Sequence, residues 1–353
     1  MLNRVFLSLI LTVSISAIST AQIYDPVSLN ADPTTATGPL APRLGGLGDY
    51  HFEVTTSDEQ SQYFFDQGMR LVFAFNHSEA LRSFKEAARI DPDNAMAYWG
   101  WALSLGRNLN VPMMMNSAEQ ANHAMNMASS LKGKVSQKER DYIEALEERY
   151  DDDLSISRDI LDLAWVASTE KLMNKYPNDS DAAVLYAGAA MNAQPWDYWQ
   201  LDGTPKGNTE KVISVLESVI ERDPDFAAAL HYHIHVTEFK KPWLSEASAD
   251  ALHPLLPASG HLVHMPSHIY IRVGRYQDAY DINIKAVKVD EEYIEETKSQ
   301  SMYPLMYYPH NIHFLSWSSM FTGRSQNSID AAMKVKSYLE EGVRKTSWGS
   351  GNE

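Results

Sequence analysis

The amino-acid sequence predicts an all-α fold, a short superhelical solenoid of helix–turn–helix units, and three observations lead to it. Beyond residue 57, small residues, aromatic residues and prolines recur at the spacing of paired helices. The segment GHLVHMPSHIYIRVGRYQDA is followed 49 residues later by PHNIHFLSWSSMFTGRSQNS, with two histidines and a Gly-Arg pair at matching positions. Almost no segment alternates apolar and polar residues as a strand would.

The first 21 residues have the pattern of a secretory signal peptide. Arg4 precedes an apolar stretch from Val5 to about Ile18, and Ser19 and Ala21 stand at the spacing of a cleavage site. The stretch is short for a spanning helix and ends in small residues. We therefore predict cleavage after Ala21, no membrane insertion of the mature chain, and a periplasmic or secreted protein.

The composition argues against several classes of function. The chain has 353 residues and a net charge of −16 at pH 7, which argues against binding to nucleic acid or to anionic lipid. It has no cysteine, which excludes disulfides, thiolate metal ligands and lipid attachment at a cysteine. Its hydrophobic content of 44% and charged content of 22% are those of an ordinary soluble protein.

Residues 22–56 are predicted to form an extended or disordered arm. Prolines stand at 26, 33, 39 and 42 and glycines at 45, 46 and 48, and both residue types interrupt regular structure. A segment of this composition behaves as a tether. We predict no helix in it.

The helical part is predicted to span residues 57–353, and its first unit carries the clearest motif. Small residues stand at Gly68, Ala80 and Ala87, and Phe84 and Pro92 complete the pattern. Small residues let two helices approach closely, an aromatic ring fills the space beside them, and proline ends the second helix. In these spacings the chain resembles the tetratricopeptide repeat (TPR), a helix–turn–helix unit of about 34 residues that stacks into solenoids.

Weaker units of the same kind follow along the chain. Ser136 and Glu139 form a capping box at the start of one helix. The last residues, KTSWGSGNE, follow a second helix without a capping helix, so a truncated end is one interpretation. The other landmarks, in order, are a unit from Ala95 to about Leu131, a long helix from about Ser157 to Tyr176, and units starting near Asp181, Ala227, Gly260 and Pro309.

Histidines are concentrated in the last units, at about 227–340. Nine of the twelve lie between positions 231 and 313. A helix advances about 100° per residue, so His231, His235 and Glu238 share one face and His233 points away. The histidines at 261, 264 and 268 also share a face if their helix begins by residue 261, a condition set by the proline at 266.

Numbering each unit from its start places these residues in register. The resemblance to TPR proteins implies that the second, fifth, ninth and twelfth places of each first helix line a concave channel. Seven imidazoles and one carboxylate would then face this channel and are the predicted metal ligands: His231, His235, Glu238, His261, His264, His268, His310 and His313.

This ligand set exceeds one tetrahedral site. One metal with supporting partners and two neighbouring metals both fit it. Nitrogen and carboxylate ligands without thiolate favour copper or zinc, and leave iron, nickel and manganese open. The alternatives are a polar channel that binds an anionic or carbonyl-bearing ligand, and a pH-sensing histidine cluster. The histidines at 51, 77, 123 and 253 are interpreted as structural or surface residues.

Five further residues are candidates for a substrate pocket. Trp196 and Trp199 lie in the insertion AQPWDYWQLDGTPKGN, and Tyr307 and Tyr308 directly precede His310. Aromatic residues could wall a pocket over a metal, and a tyrosine could donate a proton, although both pairs also suit a structural role. Arg272 is a candidate for receiving a carboxylate or phosphate, with a surface arginine as the simpler interpretation.

The block HYHIHVTE … GHLVHMPSHIY … MYYPHNIHF resembles a group of exported bacterial TPR proteins that keep these segments together. The resemblance implies a fold and a site but no reaction. The first functional hypothesis is a metalloprotein with one or two metals in the channel, as an oxidoreductase or a hydrolase. The second is a non-catalytic scaffold that binds a peptide, a protein or a small molecule in the same groove.

Overall fold

The computed structural model describes residues 31–114, 117–299 and 301–345, with side chains to residue 340. The predicted signal peptide and the chain's last residues lie outside the described residues. The helices are α1 (Glu59–Phe73), α2 (His77–Ile90), α3 (Ala95–Leu105), α4 (Ser117–Ser130), α5 (Gln137–Glu147), α6 (Arg158–Lys175), α7 (Ser180–Ala193), α8 (Thr209–Arg222), α9 (Ala227–Thr237), α10 (Glu246–Leu252), α11 (Gly260–His264), α12 (Pro266–Val273), α13 (Tyr276–Thr297), α14 (Met302–Phe321) and α15 (Ser325–Lys345).

The predicted all-α class is confirmed. Consecutive helices pack against each other along the chain, with 3₁₀ turns at Lys132–Lys134 and Pro242–Ser245. Across the described ranges, the β structure amounts to one bridge between Trp199 and Pro205 in the insertion. None of the helices in those ranges is both long enough and apolar enough to cross a bilayer. The predicted capping box of Ser136 and Glu139 is present at the start of α5.

One aromatic ring joins the first three helices. Phe84 of α2 is fully buried, and a Cβ atom built on Gly68 of α1 or Gly100 of α3 would lie 2.6 or 2.3 Å from its ring. Both glycines are needed because a larger residue would occupy the space of the ring. This is the close helix approach that the TPR motif predicts.

We expect Gly100→Ala to lower the free energy of unfolding by about 1–3 kcal/mol, because its methyl group would overlap the Phe84 ring. Urea denaturation followed by circular dichroism measures this. Gly133→Ala is the matched control, since a Cβ atom there would meet nothing within 4 Å. Equal stability of the two variants would contradict the packing described here.

The described part of the N-terminal arm, residues 31–56, is packed against the helices. Leu44 N donates to Gln67 Oε1 at 2.8 Å, and Ala258 N donates to Gly46 O at 2.9 Å. Its apolar side chains at 40, 41, 44, 47, 52 and 54 are buried. Buried polar side chains such as Gln67 form hydrogen bonds with the backbone of the arm, which has no neighbouring strand within the described ranges to do so.

The solenoid also brings its first hairpin to the histidine-rich units. Helix α1 contacts α9. The His231 Nδ1 of α9 lies 2.7 Å from the Phe73 carbonyl oxygen at the end of α1, across 158 positions of sequence. Phe75, in the turn between α1 and α2, has a left-handed backbone with φ 58°. This turn therefore forms part of the histidine site.

Candidate metal centre

Three helical segments supply the histidines. Helix α9 carries His231 and His235, with Glu238 as its C-cap residue. Helices α11 and α12 carry the next three, and α14 carries His310. Pro266 is the first residue of α12, where its missing N–H costs no helical hydrogen bond. The three histidines at 261, 264 and 268 are predicted to share a face if their helix begins by residue 261. Helix α11 begins at Gly260, so this condition is met.

The histidines form two groups rather than one cage. The first triad is His231, His235 and His261, and the second triad is His264, His268 and His310. Within each triad, one nitrogen of every ring lies within 4.8 Å of those of the other two. The first triad is buried and the second is partly buried.

Hydrogen bonds fix the protonation of the first triad. His231 Nδ1 faces the Phe73 carbonyl oxygen, which can only accept, so Nδ1 carries the proton. His235 Nδ1 lies 3.2 Å from Glu238 Oε1 and donates to it in the same way. Both Nε2 atoms therefore keep their lone pairs. The His231 Nε2 lies 3.1 Å from the Nε2 of His261, which donates to it when no ion is bound.

The second triad repeats this arrangement. His264 Nδ1 lies 2.7 Å from Asn283 Oδ1, and the Asn283 amide nitrogen donates to Ala279 O, which supports that orientation of the amide. His268 Nδ1 donates to Glu238 Oε2 at 2.6 Å. The His268 Nε2 then lies 3.2 Å from the Nε2 of His310. One carboxylate thus supports one imidazole in each triad.

The converging nitrogens suit a metal ion. Two nitrogens bound to one ion at about 2.0–2.1 Å lie about 3.3–3.6 Å apart. One pair in each triad is close to this separation, at 3.1 and 3.2 Å, and the remaining pairs lie within 4.8 Å. The Nε2 atoms of His235 and His264 are buried and have no hydrogen-bond partner. A buried acceptor without a partner is costly, and a cation would satisfy it. Imidazoles that ligate metals usually donate their other N–H to a carboxylate or carbonyl, as four of these do.

The electrostatics of the site leave these lone pairs available. Burial would raise the pKa of the Glu238 carboxyl, but the attraction of His268 and the hydrogen bond from His235 hold it below its ordinary value. The carboxylate is therefore ionised at neutral pH. Burial lowers the pKa of five imidazoles, which are neutral at pH 7: His231, His235, His261, His264 and His310, the last to about 3.

A phenylalanine ring lies against each triad. The Phe75 centroid lies 4.5 Å from that of His231, 5.5 Å from that of His235 and 5.4 Å from that of His261. The Phe314 centroid lies 4.7, 4.5 and 4.8 Å from the centroids of the second triad's three rings, in chain order. Each triad is thus covered on one side by an apolar ring.

The structure does not bring His313 to this group, which corrects the predicted register. Its side chain is exposed, and its nearest ring partner is Phe314 at 6.4 Å. Numbering the last unit from residue 309 assumed that its helix begins there, whereas α14 begins at Met302 and contains Pro309. His310 faces the second triad, whereas His313, three residues further along α14, is exposed to solvent.

Two of the five pocket candidates lie at the first triad. The Tyr307 ring centroid is 4.7 Å from that of His261, and its hydroxyl accepts from Asn110 Nδ2 at 3.2 Å. The Trp196 ring is 49% exposed and meets His235 edge-on at 5.4 Å between centroids. These two residues form the outer wall of the first triad.

The other three candidates lie elsewhere. Trp199 is buried and donates from Nε1 to Val236 O at 2.8 Å, which is a structural role. The Tyr308 hydroxyl donates to Glu291 Oε1 at 2.9 Å between α13 and α14. Arg272 is exposed and lies over the Phe239 ring. His233 points away from the triads, as predicted, and its Nδ1 lies 2.9 Å from Ser248 Oγ.

A buried carboxyl group that the sequence did not mark holds the helices of the two triads together. Asp290 of α13 accepts from the Tyr303 hydroxyl at 2.9 Å and from Asn311 Nδ2 at 2.7 Å, both on α14. The Tyr303 oxygen in turn accepts from the backbone N of His261 at 3.0 Å. A Cβ atom on Gly260 would lie 1.9 Å from Asp290 Oδ1, so glycine is needed at the start of α11.

Burial raises the pKa of Asp290 from 3.8 to about 7. The unfolded chain therefore loses this proton from about pH 4 while the folded chain keeps it until about pH 7. The contribution of Asp290 to stability is greatest at low pH and falls as the pH rises through this window, by at most about 4 kcal/mol.

Asp290→Asn lacks this titration, so we expect its stability relative to the wild type to rise between pH 4 and 8, measured by denaturation at each pH. Asp330→Asn, at an exposed position, is the control for replacing an aspartate by asparagine.

No family model and no curated protein matches this chain. Among solved structures, the human IFIT1 dimer with PPP-AAAA is 15% identical, with 80% of this chain and 72% of that chain covered and a TM-score of 0.32. The TPR domain of P58(IPK) is 15% identical, with 83% and 99% covered and a TM-score of 0.22. The packing of Phe84 between Gly68 and Gly100 makes the first three helices a TPR-like unit, within an all-helical fold of stacked helices.

Proposed function

We propose that this chain is an exported metalloprotein that binds two transition-metal ions, one in each triad. The observation that carries the proposal is the orientation of the imidazoles. Four Nδ1 protons are held by acceptors, so that the Nε2 lone pairs converge in two groups, two of them buried without a partner. A polar channel for an organic ligand would not require three imidazoles each to place a nitrogen within 4.8 Å of the other two.

The donor set restricts the ions that fit. Each triad offers three imidazole nitrogens, and Glu238 bonds to one imidazole of each triad. Imidazole ligands without thiolate suit copper, zinc, nickel and iron, and intrinsic affinity favours copper and zinc. Because the Nδ1 partners already fix the ring orientations, little rearrangement is needed when an ion binds.

The second hypothesis, a peptide-binding scaffold, draws support from a different observation. Residues 31–56 of the chain itself lie extended on the helices, with backbone groups bound by buried Gln67 and Glu86. The helices can therefore hold an extended segment. A foreign peptide would have to displace this arm or bind elsewhere, so we place metal binding first.

Metal analysis tests the proposal directly. Protein purified in metal-free buffer is incubated with excess copper, zinc, iron, nickel or manganese, desalted, and analysed by elemental mass spectrometry. We expect about two ions of at least one metal per chain, one for each triad. Protein that retains none of the five metals would overturn the proposal, and binding of peptides by such metal-free protein would favour the scaffold.

A further inference from the structure

We infer that each triad binds copper in its +1 state, an inference that rests on the two-site metal binding proposed above. Two features of the site carry it. A phenylalanine ring covers each set of three imidazoles, and a single carboxylate serves both sets. The first feature limits the number of ligands around each ion, and the second limits the positive charge that the site can hold.

The covering rings make one side of each triad apolar. Phe75 and Phe314 are 3% and 8% exposed, and each lies against all three imidazoles of its triad. A metal-bound water on that side would meet a phenyl ring and no acceptor for its protons. Phe75 keeps this position with a left-handed backbone, a conformation that costs free energy for a residue other than glycine.

The number of ligands separates the candidate ions. Zinc held by three histidines completes its tetrahedron with water or another external ligand. Copper(I) has a filled d shell and accepts three nitrogens in a trigonal arrangement, so a triad is a complete ligand set for it. The first triad is the more closed of the two, because Tyr307 and Trp196 also wall it. The first triad is therefore the better fit for an ion with three ligands.

The charge of the site favours the lower oxidation state. The ring centroids of the two triads approach to 6.1 Å at His235 and His268. Among the described residues, Glu238 is the only carboxylate that bonds to triad imidazoles. Two divalent ions would leave a buried charge of about +3, whereas two copper(I) ions leave about +1. The mutual repulsion of the ions is also about four times smaller for the monovalent pair, since it scales with the product of the charges.

Competition experiments test the inference. Metal-free protein is titrated anaerobically with copper(I) against bicinchoninate, and separately with zinc(II) against a zinc-binding dye, and X-ray absorption gives the coordination number. We expect two copper(I) ions per chain with three nitrogen neighbours each, and zinc bound at least ten-fold more weakly. Two tightly bound, four-coordinate zinc ions with weak copper(I) binding would overturn the inference and leave the proposed function standing. Binding of neither ion would overturn both.

Variants of the covering rings separate this role from a structural one. We expect Phe75→Ala and Phe314→Ala to admit water and lower the ratio of copper(I) to zinc affinity by at least ten-fold. Phe75→Leu and Phe314→Leu keep an apolar cover and should keep the ratio. Phe321→Ala, at the exposed end of α14, is the control for a lost phenyl ring. If folded Ala variants keep the wild-type ratio, the covering rings do not select the ion and the inference is wrong.

Discussion

We expect His235→Ala and His264→Ala each to remove one metal ion from the chain, and the double variant to remove both. These two positions are the most informative because their Nε2 atoms are buried in their triads and have no hydrogen-bond partner among the described residues. Each substitution leaves two imidazoles in its triad and lowers the affinity of that triad by more than about 100-fold, beyond the loss that supporting residues cause. Elemental mass spectrometry and the rise of Tm on adding metal both report the change, since binding at 100 times Kd stabilises by about 2.7 kcal/mol.

Two histidines of the same region provide matched controls. His233 lies on α9 between the first-triad residues and is 3% exposed; its Nε2 is also buried without a hydrogen-bond partner, but its ring bonds to Ser248 and belongs to neither triad. His313 lies on α14 and is exposed. His233→Ala and His313→Ala should therefore keep both ions. Loss of an ion from the His313→Ala variant would show that His313 is a ligand, as the repeat alignment predicts. An unchanged metal content in His264→Ala would show that the second triad does not bind an ion.

The sequence alone predicts the parts of the site that depend on local periodicity. A rotation of about 100° per residue places His231, His235 and Glu238 on one face of α9 and turns His233 away, and both are observed. The small residues around Phe84 likewise predict the close packing of the first helices. In both cases, short-range spacing in the sequence decides which side chains meet.

The division into two triads depends on helix rotation, which the repeat offset does not determine. His261 is on the same short helix as His264, yet its Nε2 faces His231 of α9, whereas His264 groups with His310 of α14. The offset of 49 residues aligns His264 with His313, but α14 starts earlier than the alignment assumes and turns His310 inward instead.

The long-range partners of the site leave no pattern in the sequence. The Phe73 carbonyl and the Phe75 ring come from the first hairpin, which reaches the triads only because α1 contacts α9. A backbone carbonyl cannot be recognised from residue type, and a phenylalanine in a repeat is ordinarily core. Asn283 and Asp290 are single polar residues on α13 whose burial is known only once α11 and α14 have packed on them.

We expect Glu238→Ala to weaken both triads at once, by about 10–100-fold each, while saturating metal still loads two ions. The reason is that its two oxygens accept from His235 and from His268, one imidazole of each triad. Without the carboxylate, either ring can change its tautomer or rotate, and the anionic charge that bonds to both rings is lost. Titration with a competing chelator gives both affinities, and the nitrogen NMR shifts of the two rings report whether Nδ1 still carries the proton.

Glu238→Gln makes the two triads unequal, because an amide can accept at its oxygen but donates at its nitrogen. Its oxygen should keep the shorter bond, the one to His268 at 2.6 Å, and leave the 3.2 Å bond to His235 unmade. The first triad should then lose more affinity than the second, and the proton of His235 should move to Nε2, where it competes with the ion. Glu217→Gln is the control, since that half-exposed carboxylate lies 3.9 Å from His233 and outside both triads. A Glu238→Ala variant that loses affinity in one triad alone would show that the carboxylate does not join the two sites.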